Sequence, residues 1–94
     1  MPAYVIFDVE IRDPVRYQDL MSKVKPALET AGARYLARGG EHKVHEGDWS
    51  PRRIVLLEFP SIESWELFYN GPYRAIKAIR DECSSARLVS VQGV

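Results

Sequence analysis

The sequence predicts an α+β domain in which a four-stranded antiparallel sheet carries two helices on one face. Three observations lead there. Residues 3–11 alternate apolar and polar side chains and residues 53–59 are almost continuously apolar, the patterns of a half-buried and a fully covered strand. Apolar residues recur at helical spacing over residues 14–31 and again over 61–83. The resulting order is strand, helix, strand, strand, helix, strand. Two split βαβ units of this kind give the spatial order 4-1-3-2, with strands one and three central.

Each element has its own local reason. Over Ala3–Ile11, Val5, Phe7, Val9 and Ile11 alternate with Tyr4, Ile6, Asp8 and Glu10. Asp13-Pro14 opens the first helix, because Asp13 can accept from free backbone N–H groups and proline suits the first helical position. Val15, Leu20, Met21, Val24, Leu28 and Ala31 form its apolar stripe, with a kink or local break expected at Pro26. Gly32 ends it. Ala33–Arg38 reads as the second strand, closed by Gly39-Gly40. Residues 39–52 hold three glycines, a proline and His42-Lys43-Val44-His45, a long loop with room for a short hairpin arm. Arg53–Phe59 is the third strand. Ser61 caps a second helix carrying Trp65, Phe68 and Tyr69, interrupted at Asn70-Gly71-Pro72. A further helical piece then carries Tyr73, Ile76, Ile79, Arg80 and Cys83, and Arg87–Val91 is the last strand.

At 94 residues, one domain spanning residues 1–94 is expected. Thirteen basic residues balance thirteen acidic ones, which argues against a nucleic-acid partner, since that needs a basic surplus on one face. No apolar run approaches the ~20 residues of a membrane span, so no membrane partner is expected. The single cysteine, Cys83, forms no internal disulfide and no thiolate metal cluster. The first residues lack the basic start and apolar core of a signal peptide, and a cytoplasmic location fits best.

Two helices cover only one side of such a sheet. With Val5, Phe7, Val9, Val55, Leu57, Phe59, Val89 and Val91 toward the helices, the open face carries Ile6, Leu36, Ile54, Leu56 and Leu88. Asp8, Arg38, Glu58 and Ser90 are interspersed among them. That is a large apolar patch for a monomer, and packing it against a second copy is the simplest remedy. A homodimer through the helix-free face is therefore expected.

Several segments together carry a family resemblance: Tyr35-Leu36-Ala37-Arg38-Gly39-Gly40, Glu46-Gly47-Asp48-Trp49, Arg53 through Ser61, Pro72-Tyr73 and the late Arg80. Together they resemble an uncharacterised bacterial family, a domain of unknown function in the dimeric α/β-barrel superfamily. The resemblance implies a ferredoxin-like fold and a face-to-face homodimer. It implies no reaction, because the superfamily spans cofactor-free monooxygenases, isomerases, haem-dependent enzymes and ligand-binding modules, and fold does not decide function.

The candidate site residues are Tyr17, Arg38, Trp49, Glu58 and, more weakly, His42, expected in the gap between sheet and helices near the start of helix one and the 39–52 loop. Arg38 and Glu58 read either as a cross-strand ion pair at the dimer interface or as a carboxylate anchor and a base. Arg34 shares the parity of Arg38 and is an alternative partner for Glu58. His42 and His45 match no metal-ligand spacing and read as solvated, with one able to shuttle a proton; no metal is expected. Trp49 has no obvious core position, so it either caps a pocket or packs across the dimer. Tyr17, in the first turn of helix one, can hydrogen-bond a ligand. Gly39-Gly40 is too short to cradle a phosphate, and no cofactor is expected. The sequence thus reads as a dimeric module binding a small anionic or aromatic metabolite. The alternative is a cofactor-free monooxygenase- or isomerase-like enzyme using Glu58 or a loop histidine for proton transfer.

Overall fold

In the computed structural model, which describes residues 1–94, seven elements follow in order. They are β1 (Ala3–Ile11), α1 (Pro14–Thr30), β2 (Arg34–Arg38), β3 (Ile54–Phe59), α2 (Ile62–Asn70), α3 (Tyr73–Cys83) and β4 (Ser84–Gln92). All neighbouring strands are antiparallel in the order β2-β3-β1-β4, which is the ferredoxin-like arrangement the element order requires. The helices pack on one face. Ala3, Val5, Phe7 and Val9 of β1 and Val55, Leu57 and Phe59 of β3 are buried under them.

Local chemistry explains the boundaries. The Asp13 carboxylate accepts from the Arg16 N–H at 3.1 Å and Pro14 occupies the first turn of α1. The helix continues through Pro26 without the expected break, and Thr30 donates to the Pro26 carbonyl. Its buried face is Tyr17, Leu20, Val24 and Leu28, whereas Val15 is 80% exposed. Gly32 closes the turn into β2 with φ of 76°. Ser61 caps α2 through the Ser64 N–H, and Gly71-Pro72 separates α2 from α3 as expected. No hairpin arm forms between β2 and β3.

An aromatic chain runs through the core. Trp65 meets Phe59 edge to face at 5.3 Å, Phe59 meets Phe68 at 5.4 Å, and Phe68 meets Tyr73 at 5.5 Å. Phe59 is fully buried, so Phe59→Ala would cost about 3–5 kcal/mol. The same chain ends on Tyr73, which belongs to the site described below.

Two sequence expectations about strand faces are corrected. β4 begins at Ser84, directly after α3, and its register pairs Phe7 with Leu88 and Ile6 with Val89. Leu88 and Ser90 therefore lie on the helix side, while Val89 and Val91 lie on the open face and are more than half exposed. Parity followed hydrophobicity in the sequence reading, but both faces of this sheet are apolar, so register decides. The second correction concerns β2. Its pairing runs Arg34↔Glu58 and Tyr35↔Leu57, then Ala37↔Leu56 and Arg38↔Val55, with Leu36 as an extra residue in a bulge. Arg38 is thereby turned to the helix side, and the expected Arg38–Glu58 pair does not form. Arg34 pairs with Glu58 instead, Nε to Oε1 at 2.7 Å.

Candidate functional site

The helix side of the sheet ends, at the start of α1, in a group of three tyrosines and three arginines. Tyr17 enters it from the first turns of α1 and is 6% exposed. Backbone bonds from the Arg12 and Asp13 N–H groups to the Cys83 carbonyl, at 2.8 and 3.1 Å, tie that helix start to the end of α3. This junction brings Tyr17 beside Arg80. Arg80 lies two turns after Tyr73 on α3, the spacing that puts both on one face, and donates Nη1 to the Tyr73 hydroxyl at 3.3 Å. Tyr35 arrives from β2 just before the bulge, its hydroxyl directed at the Met21 sulfur at 4.0 Å. Arg38, beyond the bulge, lies over the Tyr35 ring at 4.9 Å. Arg53 leads into β3 with the inward parity of Val55 and Leu57, and its guanidinium is 5.8 Å from the centre of the Tyr17 ring.

Gly39 matters for that placement. It holds φ at 70°, and a Cβ there would collide with the Arg53 guanidinium. The turn after β2 thus leaves the space that Arg53 fills.

Charge is unevenly balanced here. Arg80 is 6% exposed, and its second terminal nitrogen reaches the half-exposed Asp81 at 3.3 Å. Asp81 also accepts from Lys77 at 2.7 Å, and its carboxyl is held below the usual range chiefly by that bond. The Nε atoms of Arg53 and Arg80 are buried and have no partner in the chain. Burial pushes the Tyr17, Tyr35 and Tyr73 hydroxyls above the ordinary tyrosine pKa, and the neighbouring arginines oppose that rise. Behind the group is a narrow cavity of about 30 Å³ between α1 and the sheet, lined by Phe7, Leu20, Val24 and Val55 as well as the tyrosines and Arg80. No acidic residue lines it. Such an arrangement can receive an anionic head and a small apolar body, with phenol hydroxyls available to donate.

The other residues singled out from sequence lie elsewhere. Glu58 is on the open face with Arg34. Trp49 is 48% exposed beside the same face, where its indole N–H points to the Asp8 carboxylate at 3.4 Å. Asp8 also accepts from the Arg52 N–H and from Arg87, each at 3.0 Å, and so fastens the 39–53 loop to the sheet. Burial alone would raise the Asp8 carboxyl, but these three donors outweigh it and hold its pKa below the usual value. His42 is exposed, with Nε2 at 3.1 Å from the Pro51 carbonyl oxygen. Tyr17 and Arg38 therefore share the helix-side group, while Trp49, Glu58 and His42 do not reach it. Sequence reasoning passed over Arg53, Arg80, Tyr35 and Tyr73 as site residues. The available signal was an arginine on the apolar stripe of α3, seven residues after a tyrosine on the same stripe.

The fold recurs in solved structures. A protein of unknown function from Rhodopseudomonas palustris superposes with a TM-score of 0.76 at 18% identity, covering 99% of this chain and 82% of the other. A conserved protein from Methanosarcina mazei Go1 gives a TM-score of 0.57 at 15% identity, covering 100% and 95% of the two chains. SnoaB, a cofactor-independent oxygenase from Streptomyces nogalater, gives 0.58 at 6% identity, covering 99% and 91%. At these identities the likeness is one of fold. No curated protein matches the sequence. The family model described as "Domain of unknown function (DUF1330)" matches residues 2–94, and the chain belongs to that family.

Proposed function

We propose that the protein is a dimeric small-molecule-binding module whose ligand, a small anionic or aromatic metabolite, enters the cleft between α1 and the sheet. The observation that carries this reading is Arg80, a nearly buried arginine with an unpartnered Nε beside two buried tyrosines and an apolar cavity. Interiors rarely tolerate such a group without a role, because a buried donor left without an acceptor is destabilising. The open face supports the dimer: Ile6, Ile54 and Leu56 in its centre are flanked by exposed Leu36, Val89 and Val91. A twofold interface above ~1,000 Å² is expected there, as stable assemblies require.

The enzyme reading has less support. Glu58 is engaged with Arg34, and His42 lies on an exposed loop, so neither faces the cleft. The proposal is tested by screening metabolites for thermal stabilisation and mapping each hit by amide chemical shifts. A ligand present at 100 times its Kd adds about 2.7 kcal/mol to stability. Hits should perturb Tyr17, Tyr73 and Arg80. Hits that perturb only the Asp8 and Trp49 region would refute the cleft as the site.

A further inference from the structure

Resting on the reading of the helix–sheet cleft as a ligand site, we propose that it is a carboxylate site. Arg53 and Arg80 together grip the carboxylate, and the small apolar body of the ligand occupies the cavity beside Tyr17 and Tyr73. A guanidinium offers Nε–H and one Nη–H as a fork that matches the two oxygens of a carboxylate. In Arg80 the Tyr73 hydroxyl and Asp81 engage the terminal nitrogens, and Nε is left buried with no acceptor. Arg53, on the approach to β3 and outside the cavity lining itself, likewise has a buried, unpartnered Nε, and its guanidinium lies 5.8 Å from the Tyr17 ring that does line the cavity. Two arginines on separate elements, α3 and the approach to β3, thus each hold an unused Nε donor beside a buried tyrosine, Arg80 at Tyr73 and Arg53 at Tyr17.

The rest of the cleft selects the remainder of the molecule. Its lining is apolar beyond the tyrosine hydroxyls, so it suits a hydrocarbon body and a single charged head. A cavity of about 30 Å³ holds only a water or two, so the body enters as a side chain of the wall yields. Met21 is in that wall, and its unbranched thioether is the group best able to move. A phosphate is the rival head group. It brings a second charge and a tetrahedral third oxygen into an apolar pocket, which favours the planar carboxylate.

The test uses the intact protein at pH 7 and five probes: benzoate, butyrate, benzamide, butyramide and phenyl phosphate. Each is titrated to about 10 mM, enough to fill a site with a Kd of ~1 mM nearly completely. At least one carboxylate should shift the Nε–H signals of Arg53 and Arg80 and bind at least about tenfold tighter than its amide, a difference of ~1.4 kcal/mol. Arg53 is only partly buried, so Arg53→Gln should fold and lose at least about tenfold in carboxylate affinity. Arg53→Lys, which keeps the charge and loses the fork, should recover only part of it. Equal binding of carboxylate and amide in the cleft overturns the carboxylate assignment and leaves the cleft reading standing. So does tighter binding of phenyl phosphate, or unchanged affinity in Arg53→Gln. If no probe binds, or all shifts fall on the open face, both readings fail.

Discussion

The two faces of the sheet differ in how fully they pair their arginines. On the open face two arginines have carboxylate partners on neighbouring strands: Arg34 with Glu58 at 2.7 Å and Arg87 with Asp8 at 3.0 Å. On the helix side Arg38, Arg53 and Arg80 crowd around tyrosines, and the one carboxylate within reach, Asp81, is half exposed and shared with Lys77. The open-face pairs tie strand to strand, whereas in the helix-side group Arg80 shares its one carboxylate with Lys77 and the Nε atoms of Arg53 and Arg80 have no acceptor. A buried donor without an acceptor is a standing destabilisation, and such unmet groups concentrate at functional sites.

The largest expected effect would break the open face. Leu56→Asp puts an unpaired carboxylate in the centre of the apolar patch, and a cost of ~3 kcal/mol or more would raise the dimer dissociation constant at least about 100-fold. Sedimentation velocity at micromolar concentration should show a 10.8 kDa species for the variant and twice that for the parent. A parent that sediments only as the monomer defeats the dimer.

On the helix side the sign reverses. Arg80→Met removes a buried cation and keeps most of the packing volume, so stability should rise by about 1 kcal/mol and Tm by roughly 4–8 °C. Ligand binding should disappear in the same variant. A Tm that falls by several degrees would mean that Arg80 is a structural strut and not a reserved charge.

Acid should act on the open face through Asp8. Its pKa is lowered in the folded chain, so its contribution to stability is complete above the ordinary aspartate value of about 4 and is lost as pH falls through the lowered one. Trp49 reports the release, because its indole bonds to Asp8. Its fluorescence should change with a midpoint below about 4, and Asp8→Asn should abolish that transition. A midpoint above the ordinary value contradicts the assignment.

The smallest effect belongs to the rim. Arg34 is 70% exposed, so Arg34→Ala should cost under ~1 kcal/mol in a urea titration, as exposed ion pairs usually do.

Much of this was legible in the sequence, and the failures have a common source. The element order, the central β1 and β3, the Asp13-Pro14 start and the Gly71-Pro72 break all follow from local chemistry. The faces of β2 and β4 do not, because register is set between strands. Val89 and Val91 look like core residues, but the pairing of Phe7 with Leu88 turns them outward. The same limit applies to the site. Tyr17 was recognisable from its place in the first turn of α1. Arg53 and Arg80 lie 27 residues apart, and only the junction of Arg12 and Asp13 with Cys83 brings α3 close enough for both to flank Tyr17.

Leu36 acts on its strand as an inserted letter acts on a reading frame. Upstream of it, even-numbered Arg34 addresses the open face; downstream, odd-numbered Ala37 does, and Arg38 is read on the other side. The shift has a counterintuitive corollary. Deleting Leu36 outright would leave Arg34, Tyr35, Ala37 and Arg38 on the faces they now occupy, because it removes only the residue without a cross-strand partner. A shorter strand would spell the same surface, whereas ironing the bulge flat at constant length would move Arg38 off the Tyr35 ring and onto the face of Glu58.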